Sequence, residues 1–178
     1  MPAPTSTSPI DVVDDRDRPV GEIERGRVLE EGKSFRVSHV WLFYGDALLL
    51  QQLGRHRRRH PLQWGSSVAA YLHSGETYAE AAERRIREEL GLRLPLRHYA
   101  VTKMRDERSS KFIALYLAEA QRPDLPEIRE PEHVETLRYW SRAEIERTLA
   151  ARPETFTETF RHLYQVYTSQ GADEMTLH

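Results

Sequence analysis

The stretch "SGETYAEAAERRIREELGL", residues 74–92, carries its own start and stop signals. Thr77 followed three residues later by Glu80 is the Thr-x-x-Glu pattern of a capping box. Gly91 after Leu90 supplies the residue type that ends a helix in the left-handed region. The spacing predicts a helix over residues 78–90. Ala82, Ile86 and Leu90 fall on one face and are expected to pack on a sheet, while Ala81, Arg84, Arg85, Glu88 and Glu89 share another. Glu80–Arg84 and Glu83–Arg87 stand at i, i+4 in the favoured order, each pair adding about a few tenths of a kcal/mol. A solvated face laced with such pairs needs no function. Yet Glu88 and Glu89, side by side, are the oxygen ligands that a hard divalent cation seeks. One turn earlier, where a third carboxylate would complete a site, the chain has Arg85.

Around this helix the pattern is of short strands. "IDVVDDRDRPVGEIER" reads as a hairpin, and "SHVWLFY" with "GDALLLQQL" as two strands about a Gly-Asp turn. "RHRRRHPLQWGSS" reads as a basic loop and "VAAYL" as a short strand. "LRLPLRHYAVTKM", "KFIALYLAEA" and the end of "IREPEHVETLRYW" are further strands. "SRAEIERTLAAR" opens a helix at Ser141 with Glu144 three residues on. "ETFTETFRHLYQVYTSQ" is a last helix, with Phe156, Phe160, Leu163 and Tyr167 at helical spacing. Mixed strands flanked by a few helices predict an α/β sandwich.

The chain's 178 residues suffice for one ordinary domain. Residues 1–9, Pro/Ser/Thr-rich, read as a flexible tail and 10–178 as the domain. With 26 Lys+Arg against 28 Asp+Glu the net charge is −2, which argues against wholesale binding to nucleic acid or a membrane. There is no cysteine, hence no disulfide, thiolate metal site or cysteine nucleophile. No apolar run approaches the roughly 18 residues of a membrane span, so a cytoplasmic location is expected.

Upstream spacing narrows the helix further. The stretch from Ala70 to Leu92 resembles the box of the Nudix hydrolase superfamily: Gly, five residues, Glu, seven residues, then Arg-Glu-apolar-any-Glu-Glu-any-Gly-apolar. Glu76, Arg84, Ile86, Glu88, Glu89, Gly91 and Leu92 match it. Ala70 stands for the first Gly, and Arg85 for the Glu after Arg84. Sliding the frame does not recover the missing Glu, because Gly91 and Leu92 would then stand where two carboxylates must be. "DVVDDRDRPVGEIERGRVLEEG", "VWLFYGDALLLQQL", "WGSSVAAYLHSGETYAEAA", "ETLRYWSRAEI" and "ETFTETF" extend the resemblance to the branch close to isopentenyl-diphosphate isomerase. The resemblance implies the Nudix α/β/α sandwich, a mixed sheet between helices.

It implies three functions. Isomerase chemistry uses a cysteine in the strand before the box and a histidine-rich metal site; Ala69 and Tyr71 stand there instead. The Arg-Arg pair does occur in the isomerase version of the box, so Arg85 is consistent with that ancestry. The ordinary Nudix reaction is a pyrophosphatase-type hydrolysis of a nucleoside-diphosphate-linked substrate with Mg²⁺ or Mn²⁺. By carry-over, Glu88, Glu89 and the backbone carbonyl of Ala70 hold metal, and Glu76 and Arg84 brace the loop and orient the carboxylates. The third function is binding without turnover, of a nucleotide-like or phosphorylated ligand or a protein partner. Arg85 then holds phosphate or pairs with the carboxylates, and Arg55, Arg57, Arg58 and Arg59 supply further cations.

Charge decides how much Arg85 matters. A unit charge about 6 Å from a divalent ion interacts by roughly 5 kcal/mol at an effective dielectric near 20. Exchanging Glu for Arg reverses that sign; even a softened penalty of ~2–3 kcal/mol is tens- to a hundredfold in affinity. The expectation is a hydrolase of low or rearranged activity, with the binding module as the alternative. An Arg85–Glu89 pair closing the site would favour the module. Glu107, Glu130, Glu132 and His133 are candidate replacement bases, His73 a candidate acid–base group, and Trp64 and Tyr71 candidate stacking platforms. Phe156, Phe160, Tyr164 and Tyr167 are expected in the core or on a dimer surface, and a homodimer is left open.

Overall fold

The computed structural model describes residues 8–106 and 109–176. The elements run β1 Pro9–Val13, β2 Pro19–Glu24, β3 Phe35–Tyr44, β4 Ala47–Leu53, β5 Trp64–Gly65, β6 Val68–Tyr71, α1 Tyr78–Leu90, β7 Arg97–Asp106, β8 Ser109–Glu119, β9 Val134–Trp140, α2 Arg142–Ala151 and α3 Glu158–Thr176. β1 begins at Pro9, inside what composition reads as tail; a proline is tolerated at the first residue of an edge strand. Residues 1–7 of that tail, and Glu107, lie outside the described residues. The C-terminal helix starts later than its apolar spacing suggests, because Pro153 opens a separate 3₁₀ turn over Pro153–Thr155.

β1 and β2 form a hairpin, and the other seven described strands form one mixed sheet with the path β5-β4-β3-β8-β7. β3 and β8 run parallel over nine residue pairs, from Phe35↔Lys111 to Phe43↔Glu119, and the remaining pairings are antiparallel. Alternation along β3 divides the core. Phe35, Val37 and Trp41 face α2 and α3 with Ile145, Phe156, Phe160 and Leu163, whereas Val40 and Leu42 face α1 with Ala82, Ile86 and Leu90. Phe156 and Phe160 are fully buried, so the C-terminal aromatics are core. A helix on one face and two on the other give the expected α/β/α sandwich.

The sheet splays where the functional residues collect. β3 pairs with β4 only at Phe43↔Leu48 and Tyr44↔Ala47, and its preceding half pairs instead with β6. Ser67, between β5 and β6, spans the split: its Oγ accepts from Leu42 N at 2.9 Å and bonds the Leu49 carbonyl. The β1–β2 hairpin docks beside the loop that leads into α1. Asp11 accepts from Ser74 Oγ at 2.7 Å and from Gly75 N at 3.1 Å, and Asp17 from Tyr78 Oη at 2.7 Å.

Candidate functional site

α1 spans Tyr78–Leu90, the range its signals predict. Thr77 caps it by accepting from Glu80 N, and Gly91 closes it at φ 66° with its N–H to the Arg87 carbonyl. The two adjacent arginines go to different places. Arg84 reaches back along the helix: Nε to Glu76 Oε2 at 2.7 Å, Nη2 to Glu76 Oε1 at 3.0 Å and to the Tyr71 carbonyl at 2.9 Å, and Nη1 to Glu88 at 3.3 Å. The Glu80–Arg84 surface pair is replaced by this half-buried bidentate one, where two parallel bonds fix geometry as well as charge. Glu76 also accepts from His73 N at 2.8 Å. Burial opposes the Glu76 anion, and Arg84 with that N–H outweighs it, holding the carboxyl below its usual range. The loop before α1 is therefore tied to the helix.

Arg85 turns into the carboxylates. Its Nη1 donates to Glu88 at 3.1 Å, and its Nη2 lies 2.6 Å from Glu89 and 2.7 Å from Glu130. All four side chains are at least four-fifths buried; Glu89 is 9% exposed. Burial opposes the guanidinium's charge, and the carboxylates of Glu89 and Glu130 overcome it, so Arg85 stays cationic. Glu89 is the weaker member of the pair. Burial pushes its carboxyl up to about 7, Arg85 pulls back, and Glu130 adds to the rise. The ion pair favours one charge while the setting disfavours the other; with Arg85 held by three anions, Glu89 is the group that titrates. Glu89 Oε2 is buried without a hydrogen-bond partner. Gln51 lies near enough to help stabilise the anion, but its amide nitrogen is given to the Ser67 carbonyl at 3.3 Å.

A divalent cation does not fit this arrangement. Among the described residues no group of three His, Cys, Asp or Glu side chains is placed to hold one. The point between Glu88 and Glu89 is taken by a guanidinium. Ala70 stands in β6 and lines, with Glu89, a cavity beside α1, while Arg85 already neutralises Glu88 and Glu89.

That cavity, about 690 Å³, opens through the split in the sheet. Arg57, Arg58 and Arg59 line it from the β4–β5 loop, joined by Arg25, Arg84, Arg85 and Lys111; the acidic lining residues are Glu89 and Glu132. Arg57 is desolvated there, which lowers its pKa, and the charge of Glu89 opposes the fall. Arg55 does not reach the cavity; it bonds Glu135 on the outer surface. His133 joins Glu132 in the lining. The loop's His60 and Leu62 adopt φ of 57° and 63°, a strained conformation for side chains of that size. Neither proposed stacking platform is open. Tyr71 is sandwiched between Phe35, at 5.3 Å, and Arg25, whose Cζ lies 5.3 Å from the ring centre. Trp64 packs on Trp140 with Arg138 over its ring.

Several lining residues carry no motif. His39, in β3, is buried, with Nδ1 2.7 Å from Ser66 Oγ, and Lys111 opens β8 beside it. Burial pushes the His39 imidazole down to about 3, and the charge of Lys111 adds to it. The one available signal for Lys111 was its place within "SSKFIALYL", a lysine heading an apolar strand.

Comparison with known proteins agrees with this fold. An isopentenyl-diphosphate Delta-isomerase of Pectobacterium atrosepticum is 29% identical over 154 residues, covering 84% of this chain and 86% of its own. A Nudix hydrolase of Pseudomonas aeruginosa is 33% identical over 82 residues, 46% of this chain and 48% of that protein. The crystal structure of DR0079 from Deinococcus radiodurans matches with a TM-score of 0.69 at 25% identity, over 81% of this chain and 90% of that one. The family model of the NUDIX domain matches residues 33–160, which include the whole box, the splayed sheet and the start of α3. The chain belongs to the Nudix family, and its fold is the Nudix α/β/α sandwich.

Proposed function

We propose that this chain takes a phosphorylated, nucleotide-like ligand into the cationic cavity, and that Arg85 replaces the divalent cation of the family's hydrolases. Metal-dependent cleavage of a phosphoanhydride is then low or absent. The observation that carries this reading is the Arg85 guanidinium held by Glu88, Glu89 and Glu130. Such a group meets phosphate oxygens directly, with planar paired donors and no metal between. Glu88, Glu89 and Ala70 are then the remnant of a metal site, Glu76 and Arg84 its retained scaffold, and Arg57, Arg58 and Arg59 the cations that meet the ligand.

A second reading, a slow Mg²⁺- or Mn²⁺-dependent hydrolase of a nucleoside-diphosphate-linked substrate, is favoured by Glu89. Its unpartnered Oε2 and raised pKa suit a group waiting for a proton or a cation. Isomerase activity is not proposed. The chain has no cysteine, and Ala69 and Tyr71 stand in place of the thiol and histidine that this chemistry uses.

The test is phosphate release with Mg²⁺ or Mn²⁺ from nucleoside-diphosphate sugars, dinucleoside polyphosphates, ADP-ribose and nucleoside triphosphates, with binding of the same compounds measured in EDTA. Wild type is expected to bind in EDTA and release little, and Arg85→Glu to gain release. Robust wild-type turnover that Glu89→Gln abolishes would establish the hydrolase instead.

A further inference from the structure

The cavity has two ends on opposite faces of the sheet. Arg85 and Glu89 belong to α1, on one face. Lys111 stands opposite Phe35 in the β3–β8 register, and Phe35 packs in the α3-side core. Both groups line the same space, so the split in the sheet joins the two faces.

The inner end is built from buried polar groups. Lys111 is 8% exposed, and its Nζ donates to Thr159 Oγ1 at 2.7 Å. Thr159 lies in the first turn of α3, which Thr157 caps by accepting from Phe160 N at 3.1 Å. Beside Lys111, His39 is held neutral by burial. Trp41 Nε1 can only donate, and it donates to Ser66 Oγ at 2.9 Å. Ser66 keeps its own hydrogen and a second lone pair for His39 Nδ1, which lies 2.7 Å away. With Ser66 as donor to Nδ1, the ring N–H stands on Nε2, and His39 lines the cavity.

We propose that this inner end is a second anion subsite, formed by the Lys111 ammonium, the Thr159 hydroxyl and the Nε2–H of His39. The ligand accordingly carries two separated anionic groups, one met by Arg57 and Arg85 beside α1 and one by Lys111 on the far face. The inference rests on the cavity reading above and adds the ligand class: a compact molecule with phosphate at both ends. The closed faces of Tyr71 and Trp64 agree with recognition by charge, without base stacking.

Calorimetric titration in EDTA with inorganic pyrophosphate, fructose 6-phosphate and fructose 1,6-bisphosphate tests it. Wild type is expected to bind the bisphosphate roughly tenfold or more tightly than the monophosphate. Lys111→Met should erase that preference while leaving pyrophosphate binding intact, and Lys111→Gln is the second variant should Met disturb the fold. The ¹⁵N resonances of His39 in unaltered protein give an independent measurement. They should show hydrogen on Nε2 and shift with the bisphosphate more than with pyrophosphate. Equal binding of the two sugar phosphates, a preference that survives Lys111→Met, or hydrogen on Nδ1 would overturn the subsite and leave the cavity reading standing. Absence of binding by pyrophosphate and both sugar phosphates would overturn the two together.

Discussion

Arg84 and Arg85 are chain neighbours on one helix, nearly equally buried at 13% and 12% exposure, and each is ringed by carboxylates. Their roles nevertheless diverge. Arg84 takes Glu76 and the Tyr71 carbonyl and so ties the preceding loop to α1, with one longer bond to Glu88 at 3.3 Å. Arg85, one residue on, points about 100° further round the helix, where Glu88, Glu89 and Glu130 converge. The first arginine ties the loop to the helix, and the second neutralises the carboxylate cluster. Residue type does not set function here; the direction in which the helix projects the charge does.

The comparison is broken most severely by Arg85→Glu. Four carboxylates would then converge without a cation, and loss of one partner of a buried ion pair typically costs about 3–5 kcal/mol. Urea unfolding in EDTA should show that loss and Mn²⁺ should restore most of it, whereas wild-type stability should not respond to Mn²⁺. Arg84→Met removes the brace instead. A similar loss of roughly 3–5 kcal/mol is expected, with no recovery in Mn²⁺, because Glu76 is left buried without its cation.

Glu89 sharpens the contrast through pH. Its folded pKa, about 7, lies above the ordinary carboxyl value of 4.5, so the folded state holds more protons than the unfolded between those values. Stability from this group is therefore greatest below that window, falls as pH rises through it, and is level above. The fall is at most about 3 kcal/mol. Glu89→Gln should flatten it, visible as a smaller loss in urea midpoint between acid and neutral pH; an unchanged slope would mean that Arg85 holds Glu89 ionised throughout. The smallest effect is expected at Arg55, whose partner Glu135 is on the surface. Arg55→Ala should leave the urea midpoint and ligand binding essentially unchanged, in contrast to Arg57→Ala, which should weaken binding.

Much of this was legible because it is local. The limits of α1, its cap at Thr77, its stop at Gly91 and the division of its faces follow from spacing within a single helix. So does the adjacency of Arg85 to Glu88 and Glu89. What sequence does not reveal is what the third dimension adds. Glu130 reaches Arg85 from 45 residues away, and Arg55 leaves the basic run for Glu135, 80 residues on. Lys111 and His39 meet through a parallel pairing that no local pattern announces. The surface pairing read for Arg84 gave way because a buried bidentate partner, Glu76, lay within reach once the loop had closed.

The most direct test of the central claim is Mn²⁺ binding itself, followed by electron paramagnetic resonance in wild type and Arg85→Glu. Arg85 as the resident cation predicts that wild type binds Mn²⁺ tens- to a hundredfold more weakly than the variant, in line with a charge penalty of ~2–3 kcal/mol. Equal or tighter binding by wild type would mean that the guanidinium yields to metal, and that the site is a metal centre after all.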